Sequence, residues 1–359
     1  MFPLYIFVII LIILLAVVFL FPSPIDATAW TPPPTPAWDG ALTPNNELSN
    51  AELLGQGQLR HPEDIAFDQV GRLYTGCEDG KIYRIHLDAS GGALKIETFI
   101  ETGGYPLGLH FDRDGNLIAA VKGIGLLRIL PSGQSTILTN EVDGTPITYA
   151  NDLDIAQDGT IYFSDSSTKF TRGWPYDILE AHPYGRLLAY DPATKKTSLI
   201  KDGLYFANGV LLAEDESYIL VCETERSRVR RYWLKGEKTG TWDFFANNLP
   251  IMADNIDRDD QGNYFVAGNR RLPFLNTLHP NPFLKNQIAK IPFNILRDFP
   301  DWKRNRYGLV LKLDQNGNIK KSLHDPSGRV YATSSANPHG GYLFIGSLYG
   351  HGVARYLMK

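Results

Sequence analysis

Short apolar runs separated by polar turns fill most of the chain, and long helical stripes are few. An apolar strand, a turn carrying Asp and Gly, and a second apolar strand recur. The unit is clearest at residues 65–74, 109–118 and 153–162, with turn glycines Gly71, Gly115 and Gly159. Glu216 holds the glycine place in a fourth unit, Gly262 in a fifth and Gly341 in a looser sixth. The first three turn positions lie 44 residues apart (115 − 71 and 159 − 115), the length of a four-stranded propeller blade. Asp and Gly recur because a tight hairpin needs a positive φ and a side chain that bonds its own backbone. The pattern predicts an all-β fold, a six-bladed β-propeller over residues 50–359.

After Gly341 only two strands remain, so the sixth blade lacks its outer strand. Residues 51–59 are expected to supply it and close the ring, which removes the open edge. Two long spacings mark insertions, at 166–184 in blade three and at 269–306, placed after blade five. The second is apolar with interleaved basic residues, and reads as a short helical, lid-like insertion. A basic amphipathic segment also suits a bilayer surface.

The N-terminus breaks the pattern. Residues 2–21 carry no charge and end at Pro22 and Pro24, which matches the roughly 20 residues of a membrane-spanning helix. No Lys or Arg precedes Arg60, whereas a signal peptide begins with a basic stretch. Residues 1–22 are therefore expected to be a transmembrane anchor, and 23–49 a stiff Pro-rich spacer. Flanking charge gives no orientation. The propeller is expected on the extracytoplasmic or lumenal side.

Net charge is −4 with both signs interspersed, so nucleic-acid binding is not expected. The two cysteines, Cys77 and Cys222, form neither a disulfide framework nor a metal knuckle and read as small core hydrophobes. The aspartate-rich runs at 112–116 and 257–263 lack the distal Glu of a calcium loop and read as turns.

Candidate chemistry lies at the starts of the inner strands. Eight residues before each turn position stand Glu63, Leu107, Asn151, Asn208, Asp254 and Thr333. Two carboxylates and two amides around one channel make a shell of oxygen donors with a formal charge of −2. Hard cations such as Ca2+ take this donor set, and zinc or copper does not. The next position reads Asp64, Gly108, Asp152, Gly209, Asn255 and Ser334. Asp64 and Asp152 point to a second cation deeper in the channel, and Asn255 can join the first.

The runs His61-Pro62-Glu63-Asp64, Tyr149-Ala150-Asn151-Asp152-Leu153-Asp154, Phe206-Ala207-Asn208-Gly209-Val210 and Met252-Ala253-Asp254-Asn255-Ile256 resemble the strictosidine synthase-like propellers. Gly185-Arg186-Leu187-Leu188 and Tyr307-Gly308-Leu309-Val310-Leu311 fit the same pattern. Within that family the chain is most similar to the adipocyte plasma membrane-associated group. The likeness runs from about residue 50 to the end, and extends more weakly to the paraoxonases and to the senescence marker/gluconolactonase group. The resemblance implies a catalytic Ca2+ held by Glu63, Asn151, Asn208, Asp254 and Asn255. It also implies a second, structural ion on Asp64, Asp152 and the carbonyl of Leu109.

Two departures bear on the reaction. Leu107 replaces the paraoxonase histidine, and Ser334 replaces the glutamate that serves the condensing strictosidine synthases; both positions are expected to line the substrate pocket. What the resemblance then implies is a calcium-dependent lactonase or arylesterase, with Glu63 and Asp254 as candidate bases. His110, His339 and His351 read as packed or solvated side chains. A non-catalytic calcium-stabilised binding or scaffolding propeller stays open, and so, further off, does a condensing enzyme.

Overall fold

The computed structural model describes residues 4–171, 173–297 and 306–358. Among them are six four-stranded antiparallel sheets and one two-stranded sheet. Five sheets follow the chain in order, with inner strands at Tyr105–Phe111, Ala150–Ile155, Ala207–Leu212 and Ile251–Arg258, and at Ile65–Phe67 in the first. The sixth pairs Glu52–Leu54 as outermost strand with Val353–Leu357, then Tyr342–Ser347 and Thr333–His339. Strand 52–54 from the start of the propeller thus closes the ring, as expected.

All six turn positions have positive φ: 79° at Gly71 and Gly115, 88° at Gly159, 56° at Glu216, 77° at Gly262 and 82° at Gly341. The hairpin, rather than the glycine, is what repeats. Asp112 and Asp259 spend their carboxylates on backbone N–H groups two and four residues on, at 2.8–3.0 Å. These runs are turns.

Apolar side chains pack between neighbouring sheets. One such core gathers Leu220, Cys222 and Val229 of blade four with Ile251, Val266 and Leu311 of blade five. Both cysteines are free and buried.

The insertion at 269–306 lies inside blade five, between Tyr264–Arg270 and Gly308–Leu313, which pair with each other. It does not follow the blade, because Gly308–Leu313 and Ile319–Asp325 are that blade's third and fourth strands. Residues 34–50, the later part of the expected spacer, pack against the outer strand of blade five. Asn45 Nδ2 donates to Ser322 O at 2.8 Å, and Ser49 Oγ donates to Asp325 Oδ1 at 2.7 Å. Leu42 and Leu48 are buried there.

The described residues within 1–33, 172–182 and 272–304 form a second compact unit. Its helices are Leu4–Leu20, Trp174–Glu180, Pro273–Leu278, Pro282–Ile288 and Phe293–Arg297. The segment 24–33 is held among them: Thr28 N–H donates to Glu180 O, Trp30 N–H to His279 O, and Lys285 Nζ to Thr28 O. The ring of Phe19 stacks on Phe283 at 6.1 Å.

The expected transmembrane helix is not supported. The described helix has 17 residues, about 26 Å at 1.5 Å per residue, against about 30 Å of hydrocarbon. Among the described residues no helix is long and apolar enough to cross a membrane.

Candidate metal centre

Pairing breaks at the same place in five inner strands. Register shifts fall between Pro106 and Leu109, Ala150 and Leu153, Ala207 and Val210, Ala253 and Ile256, and Thr333 and Ala336. A regular strand alternates its side chains, whereas a bulge re-aims them. The paired positions 151–152, 208–209 and 254–255 are therefore the bulged residues. The sequence register located them; the bulges themselves leave no mark in the hydrophobic pattern.

Blade six needs a correction. Its bulge holds Ser334 and Ser335, one residue later than the register from Gly341 gives, because its hairpin is tighter and pairs His339 with Tyr342. Thr333 is not a ring residue: it pairs with Ser347, is fully buried and donates to Leu309 O at 2.7 Å. The first ring is Glu63, Leu107, Asn151, Asn208, Asp254 and Ser334. The second is Asp64, Gly108, Asp152, Gly209, Asn255 and Ser335.

The two glycines let neighbouring blades close on the channel. A Cβ on Gly108 would stand 2.6 Å from Asp152 Cα, and one on Gly209 would stand 2.7 Å from Asn255 Cα.

Every polar ring side chain is at least nine-tenths buried, yet their amide hydrogens are already used. Asn151 Nδ2 donates to Ser166 Oγ at 2.8 Å, and Ser166 in turn donates to Ala207 O at 2.6 Å. Asn208 Nδ2 donates to Asp254 Oδ1 at 2.5 Å and to Thr224 Oγ1 at 3.1 Å, while Thr224 donates to Ala253 O at 2.6 Å. Asn255 Nδ2 donates to Glu63 Oε1 at 3.3 Å. Ser166 and Thr224 escaped the sequence reading, although each directly follows the second strand of its blade.

What remains are acceptors. Glu63 Oε2, Asn151 Oδ1, Asn208 Oδ1 and Asn255 Oδ1 are buried without a hydrogen-bond partner. A lone buried oxygen costs free energy. Four of them, beside Asp254, make a shell that lacks a positive group and fits one hard cation. Among the described residues no three His, Cys, Asp or Glu side chains group closely enough to hold a metal, so amide oxygens have to complete the shell.

The electrostatics agree. Burial, then repulsion from Asp254, Asp64 and Asp152, pushes Glu63 well above the usual carboxylate range. Burial raises Asp254 to about 8, against the lowering bond from Asn208. Burial lifts Asp64 to about 6, and burial with repulsion from Asp64 lifts Asp152 well above its ordinary value. Crowded, dehydrated carboxylates favour a proton or a cation between them.

The remaining expected residues take specific places. Asp64 Oδ2 accepts from Leu109 N–H at 2.9 Å and Asp152 Oδ2 from Val210 N–H at 2.7 Å, and Asp64 Oδ1 accepts from Asn337 Nδ2 at 3.4 Å. Leu107 is buried. Ser334 is fully buried and donates to Glu63 O at 2.6 Å, so its hydroxyl fixes the Glu63 backbone. His110 lies 3.4 Å from Asp154, His339 stacks on Phe67 at 3.8 Å, and His351 is near His61 at 5.8 Å. None of the three belongs to a ring.

A six-bladed propeller whose channel presents buried, partnerless oxygens from blades one, three, four and five defines the class. The chain belongs to the strictosidine synthase-like family. The strictosidine synthase model matches residues 151–237, and the N-terminal strictosidine synthase-like model matches residues 40–85. Adipocyte plasma membrane-associated protein from Rattus norvegicus is 35% identical over 356 residues, covering 93% of each chain. A strictosidine synthase-like protein of Arabidopsis thaliana, number 7, is 34% identical over 314 residues, covering 84% of this chain and 80% of its own.

Solved structures share the fold. A gluconolactonase from Xanthomonas campestris superposes with a TM-score of 0.60 at 17% identity, over 95% of this chain and 99% of its own. A calcium-binding regucalcin from Agrobacterium tumefaciens gives 0.57 at 15%, over 85% and 90%.

Proposed function

We propose that this protein is a calcium-dependent hydrolase of lactones or aryl and alkyl esters, working at the first ring of its channel. The four buried oxygens without partners carry the reading. Glu63, Asn151, Asn208, Asp254 and Asn255 would hold the ion, and Asp64, Asp152 and the Leu109 carbonyl a second. When bound, Ca2+ supplies a Lewis acid for a carbonyl oxygen. The chain's own part is to fix the amides through Ser166 and Thr224, and to offer Glu63 or Asp254 as acceptor of a proton from attacking water. Leu107 leaves no imidazole at the ring for that task. The similarity to a gluconolactonase and to regucalcin supports a lactonase-like or calcium-binding propeller, and the relatives' name supports an association with membranes.

The test is turnover of phenyl acetate and a lactone panel with and without chelator. Hydrolysis that chelator abolishes, and that Asn208→Ala lowers at least about 100-fold in kcat/KM with the circular dichroism spectrum intact, supports the reading. If chelation lowers the melting temperature but no ester or lactone is ever cleaved, the propeller is a binding module and the hydrolase is wrong.

A further inference from the structure

The channel opens where the inner strands reach their hairpins. A cavity of about 310 Å3 opens there, and its lining comes from positions one to five residues after the first ring. Asp64 and Asp152 form its floor; farther out stand Asp154, Asp257 and Asn337. Neither Lys nor Arg lines it. Arg258, next to Asp257, is turned to Leu212 O at 2.8 Å. Two histidines line it, His110 and His339; His110 Nε2 lies 3.4 Å from Asp154 Oδ1, and its side chain is half exposed.

Backbone N–H groups meet part of the carboxylate demand: Leu212 N–H donates to Asp154 Oδ2 at 2.8 Å, Ile155 N–H to Asp154 Oδ1 at 2.7 Å and Arg258 N–H to Asp257 Oδ1 at 2.7 Å. Asn337 spends its Nδ2 on Asp257 Oδ2 at 3.2 Å and Asp64 Oδ1 at 3.4 Å, which leaves Asn337 Oδ1 buried and unpartnered. Ser335, fully buried, and Asn255 also line this cavity with an oxygen that has no partner. One wall is aromatic: Phe67 stacks on His339 with the rings 5° from parallel, and Phe111 lies on the same lining.

We infer that the outer half of this cavity binds a small organic ammonium ion. Its nitrogen donates to Asp154, Asp257 and Asn337 Oδ1, and its apolar body lies against Phe67. Carboxylates with an unpartnered amide oxygen suit a group with several N–H donors, and an aromatic face attracts its charge. A bare metal ion would have no use for the aromatic wall. The inference does not rest on the hydrolase reading, since the nitrogen's partners Asp154, Asp257 and Asn337 are not among the residues proposed to hold calcium.

Calorimetry at fixed, saturating calcium tests it with phenethylammonium, propylammonium and neutral phenethyl alcohol. Phenethylammonium is expected to bind with Kd below about 1 mM, and the alcohol not at all. Asp257→Asn and Asp154→Asn should each weaken the ammonium at least about ten-fold. Phe67→Leu should weaken phenethylammonium but not propylammonium, which keeps the test open if one carboxylate variant fails to fold. The proposal is overturned if no ammonium binds, if the alcohol binds equally, or if folded carboxylate variants bind as tightly as the parent. Ammonium binding that appears in calcium-free protein and is lost at saturating calcium would make this an inorganic cation site, and also overturns it.

Discussion

At the residue scale, the channel depends on side chains that never touch its contents. Ser166 and Thr224 each accept an amide N–H and donate to the next blade's backbone, so the oxygens of Asn151 and Asn208 are aimed before any ion arrives. Outer partners of this kind typically change metal affinity by about 10- to 100-fold. Ser166→Ala and Thr224→Ala should therefore each weaken calcium binding by about ten-fold in calorimetry, with secondary structure kept. Unchanged affinity in both would mean that the amides are oriented by the bulges alone. The ring residues were legible because Glu63, Asn151, Asn208 and Asp254 are out of place among strand-forming neighbours and recur in one register. Their supports were not, since a Ser or Thr at a strand end reads as ordinary turn chemistry. Blade six misled the register by one residue, from Thr333 to Ser334, because a two-residue hairpin shifts the glycine without disturbing the apolar pattern.

At the element scale, hairpins and insertions were readable from spacing, whereas the strap formed by residues 34–50 was not. Its proline-rich sequence looks like a spacer, yet it is tied to blade five through Ser322, His324 and Asp325. His324 is the sensitive point. Burial, with Arg270 nearby, lowers its pKa to about 4 from the ordinary 6.5. Tyr307 OH lies 2.8 Å from Nδ1, Ser322 Oγ 2.6 Å from Nε2, and the Trp38 ring packs edge-on at 5.9 Å. Ser322 Oγ itself donates to Ala41 O, so Nε2–H donates to Ser322 and neutral Nδ1 accepts from Tyr307. Between pH 6.5 and 4 the unfolded chain binds this proton and the folded chain does not. Stability from this site is thus complete above pH 6.5 and falls as pH drops toward 4, by about 2 kcal/mol at pH 4.5. Denaturant melts at pH 7.5 and 4.5 should show a smaller pH difference in His324→Gln than in the parent. An equal difference would place the acid sensitivity elsewhere.

At the scale of the molecule, the propeller concentrates its least favourable groups on the ring axis. Six blades bring Glu63, Asp64, Asp152 and Asp254 into one buried channel, where burial and mutual repulsion oppose ionisation. Among the described residues, the channel and the neighbouring cavity are where buried polar side chains without partners gather most densely. An ion that binds only the folded ring adds stability by mass action, about 4 kcal/mol at a thousand times its Kd. For 359 residues and an unfolding entropy of about 2.1 cal/mol/K per residue, that corresponds to a rise of about 5 °C in Tm. Calorimetric melts in excess calcium and in excess chelator should differ by about this amount, and magnesium should restore less because it resists a flexible, amide-rich shell. Asn208→Ala should shrink the difference, since it removes one unpartnered oxygen without adding charge, whereas Cys222→Ala, at a buried position between sheets, should lower both melts and leave the difference unchanged. Coincident melts with and without calcium in the parent protein would remove the metal from this channel, and the four lone oxygens would then need solvent to satisfy them.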